Sequence, residues 1–550
     1  MKYLYILLTS FVFISCGGGG GSDTTPNNGG SDSSSNKEYS KNIDKRVNIT
    51  QENQIEYIKN VSNTNIKVTI PSNQTRDIYL VTTSHFDNQQ ITISSPSMRL
   101  NSARKISTSK ELPNIFTPLK IVKFNENLPK KEKKASSSLN KRIFLARSYS
   151  QDTQERFYVE YFNSDGSSRT YETTATVKKI VKNVSTRYGR KNLVVWIAND
   201  DFDDGSFYSE GTISQEMIDD LANIFLTPGD DNDIYDWDTN IFGPEWGDDA
   251  RDYDKNVISN ENTIHILIYD MKIDNMAGFF FAKDNYLRSK EPYSNEKIMF
   301  YVNARMYGKG DEDSKKETFT TLAHEFQHMI NFYQRWLKKD ILDPTWFNEM
   351  LSETTEDLLS TKIRYKGPRN VDPDDGSAGP AGNRGGRFPY FNQYNYYPVT
   401  AWFGDIDDYG RVSAFGTFLV RNYGGAEFLH KLFYSNKTGK EALVNTTKEK
   451  DFNTILNKWG AGVMLSDKIN LKPKMPQYNF GDFKETTLNN ITYKMGSINF
   501  FNYIPNPTYK TNIRAYKDAN IYTKIGNNLK GDVYISVKMD RGGDITIIAK

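Results

Sequence analysis

Five histidines occur in 550 residues, and two of them bracket a glutamate in Leu322-Ala-His-Glu-Phe-Gln-His-Met-Ile-Asn331. A helix advances about 100° per residue, so imidazoles at His324 and His328 lie about 40° apart and one turn displaced. Two nitrogens held that way can reach one tetrahedral Zn²⁺ at about 2.0–2.1 Å each. Glu325, between them, suits a base that takes a proton from metal-bound water better than it suits a ligand. A third protein ligand is still needed. Glu349, in Trp346-Phe-Asn-Glu-Met-Leu-Ser-Glu353 and 21 positions beyond His328, is the candidate. Glu353 is placed to accept the free N–H of a ligating histidine.

These side chains need a rigid frame, and the surrounding residues supply one. Phe319, Leu322, Ala323, Phe326, Met329, Ile330, Tyr333, Trp336 and Leu337 recur every three or four positions, which predicts a helix with one continuous buried stripe. Lys338-Lys-Asp-Ile-Leu-Asp-Pro344 then reads as a charged, Pro-terminated turn joining two antiparallel helices. On the second helix Phe347, Met350, Leu351, Leu358 and Leu359 form the apolar side, and Glu349, Glu353 and Glu356 share an acidic one. The plain alternative is a structural helix pair with a core histidine and a solvated acidic face. Two of only five histidines bracketing a glutamate, followed by a correctly spaced Asn-Glu, favour the metal site.

At these two stretches the chain resembles the gluzincin metallopeptidases, and within them the hyicolysin family. Ile241-Phe-Gly-Pro-Glu-Trp-Gly247, Ile264-His-Ile-Leu-Ile-Tyr-Asp270 and Gly278-Phe-Phe-Phe281 resemble that family's approach to the helix pair, and the likeness spans roughly residues 150–460. The resemblance implies an α+β fold: a thermolysin-like core with a mixed sheet, an active-site helix pair and a helical C-terminal half. It implies a single catalytic Zn²⁺, endopeptidase action on proteins or peptides, and an edge strand among residues 278–303 along which substrate lies extended. It also implies a Tyr or His from the helical half that stabilises the oxyanion. Tyr409, at the mouth of the amphipathic stretch Tyr409–Val420, is chosen for that role, with Tyr394, Tyr396, Tyr397 and His430 as rivals.

The rest of the chain sets the context. A net charge of +2 gives no reason to expect a nucleic-acid partner. The one cysteine excludes an internal disulfide framework. It stands at the end of Met1–Ser15, an apolar run too short to span a bilayer and suited to an export signal. Phe13-Ile-Ser-Cys16 resembles a lipobox, with Phe13 where Leu is usual. This predicts a bacterial lipoprotein, exported to the periplasm or cell surface and anchored to the membrane through a lipidated Cys16. The expected organisation is a signal peptide over 1–16, a Gly/Ser/Asn-rich linker over 17–45 and a β-rich N-terminal domain over 46–150. The catalytic domain covers 151–465, and a β-rich C-terminal domain covers 476–550.

His85 carries no assigned chemistry, and His265, alternating with apolar neighbours, reads as a core residue. Asp clusters at 200–205, 230–233 and 372–376 do not follow EF-hand spacing, so they read as solvated turns, with Ca²⁺ left open. The Gly/Pro/Asp-rich stretch 364–391 has the length of a lid or of the rim of a substrate site. Two function classes compete: a zinc endopeptidase, and a catalytically silent surface lipoprotein that keeps the fold for binding or adhesion. A degenerate site could lose Glu325 without harm to its helix, so the presence of Glu325 beside intact ligands favours the enzyme.

Overall fold

The computed structural model describes residues 39–40, 42–98, 119–133, 148–163, 167–199, 212–259, 262–274, 276–481 and 483–550. Cys16, most of the 17–45 stretch and the Asp200–Gly205 cluster lie outside the described residues.

Apolar runs between 154 and 303 build a six-stranded mixed sheet from β1 (Gln154–Phe162), β2 (Ser168–Thr186), β3 (Gly189–Ala198), β4 (Thr263–Tyr269), β5 (Gly278–Phe280) and β6 (Ile298–Asn303). The strand order is β5-β6-β4-β3-β2-β1. The inner strands β3, β4 and β6 run parallel, whereas β1, β2 and β5 join the sheet antiparallel. β4 and β6 are buried at every position, so they are predominantly apolar rather than alternating, with Thr263, His265 and Asn303 as the buried polar exceptions. His265 belongs to this core, where Trp196 Nε1 donates to its Nδ1 at 3.1 Å.

Of the helices, α1 (Gln215–Phe225) packs on β2 and β3, and α3 (Glu312–Asn331) packs on β5 and β6. α2 (Ile234–Phe242) and α4 (Thr345–Ile363) pack on α3, α6 (Ile406–Tyr423) on α4, and α5 (Phe388–Tyr394) on α6. Asp311 caps α3 by accepting the Ser314 N–H, and Glu312 and Asp313 in the first turn complement the helix dipole. The stripe Leu322, Ala323, Phe326, Met329 and Ile330 is buried. Phe326 packs on Phe225 of α1 and Tyr235 of α2, with ring centroids 5.1 and 5.5 Å apart. A π-helical turn over Phe332–Leu337 extends α3, and the chain reverses through Pro344 into α4. The acidic side of α4 is not solvated: Glu349, Glu353 and Glu356 are 5%, 0% and 7% exposed.

The two β-rich flanks, expected as separate domains, share sheets. One sheet runs Ile43–Asn48, Thr64–Ile70, Gly531–Met539, Gln89–Ser94, Asn512–Ala515; the other runs Asn520–Leu529, Arg76–Ser84, Gly543–Ala549, Gln54–Val61. In each, a strand from the C-terminal end is inserted between two from the N-terminal end. Residues of both sheets, among them Val68, Leu80, Val533 and Ile547, close one core. The interleaving has a physical reason: each flank alone would leave unpaired strand edges and half a core. His85 lies here, its Nδ1 2.8 Å from the Tyr39 hydroxyl and its Nε2 3.3 Å from Asp544 Oδ2.

Candidate metal centre

α3 and α4 pack side by side, and their polar faces meet at three side chains. His324 Nε2 lies 3.1 Å and His328 Nε2 3.4 Å from the same atom, Glu349 Oε2. Ligands about 2.0–2.1 Å from a tetrahedral zinc stand about 3.3 Å from one another, so these separations suit one shared ion. Among the described residues, these three and a group formed by His324, Glu353 and Glu356 gather donor atoms closely enough to hold a metal. Burial pushes the Glu349 carboxyl up, but His328 and His324 outweigh it and hold it at about 2. Burial also works against a proton on His324, yet the hydrogen bonds it donates to Glu349 and Glu356 raise its pKa well above the usual imidazole value. A metal ion would displace that proton on binding.

The other ring nitrogen of His324 is anchored as well. His324 Nδ1 meets Glu356 Oε1 at 2.7 Å, so the carboxylate behind the first histidine is Glu356 and not Glu353. The helix phase explains the correction. Seven residues bring Glu356 to within about 20° of Glu349, whereas four leave Glu353 about 40° away. Glu353 turns instead toward Arg387, whose Nε donates to both of its oxygens at 3.1 Å. Burial lifts the Glu353 carboxyl to about 7, with Arg387 opposing and Glu356 adding to the rise. Ser352 Oγ donates its proton to Gln327 Oε1 at 2.5 Å and lies beside the His328 ring, 3.3 Å from Nδ1 and 3.5 Å from Nε2.

Glu325 projects from α3 toward the sheet. Its Oε2 accepts the Phe280 N–H at 2.7 Å, so the edge strand β5 fixes its aim. β5 is the edge within 278–303 that the sequence left unassigned. A Cβ at Gly278 would fall 2.4 Å from the Tyr301 carbonyl oxygen, so glycine is needed for β5 to lie this close to β6. Burial raises the Glu325 carboxyl, against the pull of His324 and His328.

Tyr409, in the first turn of α6, is buried with its ring centroid 6.4 Å from that of His324. Trp402 packs against it at 4.9 Å, and the Arg387 guanidinium stands over its ring at 5.9 Å. Its rivals have other neighbours: Tyr397 lies against Tyr396 and Tyr516, and His430 Nδ1 is 2.6 Å from the Ile241 carbonyl. The described Asp clusters act as caps and turn formers. Asp233 caps α2 and Asp372 accepts the Asp374 N–H. Sequence reasoning missed the Phe280 N–H and Arg387. Neither carries a local signal, because each reaches the site from a distant stretch.

Over 205 residues the chain is 26% identical to the neutral metalloprotease ShpI of Staphylococcus hyicus, a match covering 35% of this chain and 39% of that protein. The chain thus matches well under half the length of this relative. The family model for peptidase M30 matches residues 172–466, more than half of the chain, and includes both site helices. The protein belongs to the peptidase M30 family.

Proposed function

We propose that the chain is a zinc endopeptidase that hydrolyses protein substrates outside the cytoplasm. The observation that carries this reading is the meeting of His324, His328 and Glu349 around one point, with Glu325 held beside them by the Phe280 N–H. A Zn²⁺ held by those three ligands would supply Lewis acidity, polarising the scissile carbonyl and easing ionisation of water. Glu325 takes the proton of the attacking water and delivers it to the leaving amine. Glu356 holds His324 through Nδ1, and Ser352 steadies His328, so that both Nε2 atoms face Glu349. Tyr409 is the proposed donor to the oxyanion. β5, beside Glu325, offers backbone groups to an extended substrate.

Purified protein beginning after Cys16 should carry one zinc per chain and cleave denatured casein. Chelator should abolish cleavage and added zinc should restore it. Casein cleavage untouched by chelator, or no stoichiometric metal in a chain as active as the zinc-loaded one, would sink the proposal.

The location outside the cytoplasm rests on the Met1–Cys16 pattern. Among the described residues, no helix is long and apolar enough to cross a membrane. A lipid on Cys16, at the end of Phe13-Ile-Ser-Cys16, is the proposed means of attachment. Cys16→Ala should release the protein from the membrane fraction or block its processing; full partition of the variant into detergent would count against lipidation.

A further inference from the structure

A cavity of about 130 Å³ opens beside the metal cluster, and Glu317, Glu356, Tyr365, Arg387 and Tyr390 are among its walls. Sites that enclose a whole small ligand run to about 300–1,000 Å³, so this one suits a single side chain. It adjoins the proposed reaction centre through Glu356. One Glu356 oxygen meets His324 Nδ1 at 2.7 Å, and the other is 3.9 Å from Arg387 Nη2. The two ends of the Gly-rich stretch 364–391 fold together to shape the wall. Gly386, at φ +74°, sits so close to Pro368 that a Cβ would fall 2.4 Å from the Pro368 carbonyl oxygen, and both residues line the cavity.

The charges around this space do not balance. Arg387 directs its Nε to both oxygens of Glu353, a carboxylate outside the cavity wall. Two carboxylates, Glu317 and Glu356, remain in the wall, and Arg387 is the one cation among the described lining residues. Glu317 takes a hydrogen bond from the neutral Tyr365 hydroxyl. A carboxylate in a half-enclosed space is stabilised by a cation brought to it and destabilised by an apolar or acidic occupant. Tyr365 and Tyr390 add aromatic rings to the wall, the side-chain type against which a guanidinium or ammonium group packs favourably.

We propose that this cavity is the subsite that receives a lysine or arginine side chain of the substrate, with Glu317 as its charge partner. The inference rests on the peptidase reading above and deepens it by naming a substrate class.

The zinc-loaded chain is assayed on internally quenched peptides carrying Arg, Lys, Leu or Glu in turn at each position flanking the scissile bond. At one position, kcat/KM should be at least about tenfold higher for Arg or Lys than for Leu or Glu, the low end for a charged hydrogen bond. E317Q should bring that ratio near unity, and E317K should turn it toward Glu. Separately, agmatine serves as a guanidinium probe by calorimetric titration into the zinc-loaded E325Q chain. It should bind, and at least about tenfold more weakly once E317Q is added. Peptide cleavage without a basic preference, or a preference that survives E317Q, overturns the subsite and leaves the peptidase reading standing. Agmatine held through Glu317 by a chain that cleaves no peptide supports the subsite and overturns the peptidase reading. Neither cleavage nor agmatine binding overturns both.

Discussion

Two arginines serve the α3–α4 pair in opposite ways. Arg335, in the π-helical turn that ends α3, is fully buried and has every donor engaged. Its Nε and Nη2 fork onto Asp343, Nη1 reaches the Phe433 and Ser435 carbonyls, and Nη2 also reaches Lys437 O at 2.9 Å. Asp343 takes a further bond from Asn331 Nδ2 at 3.0 Å. Arg387, by contrast, shares its Nε between the oxygens of Glu353 and leaves Nη2 at 3.9 Å from Glu356, beyond hydrogen-bond distance and beside a cavity. The saturated cluster locks the reversal that sets α3 against α4. The second, with Arg387 turned to Glu353, leaves the Glu317 and Glu356 carboxylates facing a cavity where a substrate would bind. Charges of the same kind thus do structural work at one end of the helix pair and are poised for chemistry at the other.

Substitutions should separate the two ends. Asp343→Asn leaves the Arg335 guanidinium buried without its counter-charge and should cost about 3–5 kcal/mol, read as a lowered denaturant midpoint. A loss confined to activity, with stability intact, would break the contrast. Tyr409→Phe should lower kcat about 10²-fold or more with little change in melting temperature, as removal of an oxyanion donor does elsewhere. If kcat holds, another group stabilises the oxyanion. Glu356→Gln should weaken zinc retention about 10- to 100-fold in competition with a chelating dye, because His324 loses the carboxylate that orients it. Unchanged zinc affinity would return that role to Glu353.

The smallest effect is one of pH. Burial raises the Glu325 carboxyl above its ordinary value, and a base works only when ionised. Turnover should therefore decline as pH falls through that raised pKa, earlier than an exposed glutamate would allow. An acid limb no higher than that of an ordinary glutamate would contradict the buried setting.

Much of this was legible in the sequence because it is periodic. The stripe from Leu322 to Ile330 and the Glu349–Glu353–Glu356 spacing declare two helices and place the candidate ligands on facing sides. The same periodicity leaves Glu353 and Glu356 on one side without choosing between them; that choice depends on how α4 is rotated against α3. Arg387 was not legible. It stands in Gly385-Gly-Arg387, and its approach to α4 depends on the fold of the whole 364–391 stretch. The shared sheets of the flanks were hidden for a related reason. Alternation identifies Thr64–Ile70 and Gly531–Met539 as strands, but says nothing about two segments more than 450 residues apart becoming neighbours.

The central claim is that Glu325 acts as the base beside a metal held by His324, His328 and Glu349. Glu325→Gln keeps the size and helix propensity of the side chain and removes the base. Measured together, kcat/KM on a peptide substrate should fall at least about 10²-fold, while zinc content and melting temperature stay at wild-type values. Glu349→Gln, prepared alongside, should lose zinc as well as activity. Wild-type turnover in Glu325→Gln with zinc still bound would place the chemistry elsewhere and contradict the account.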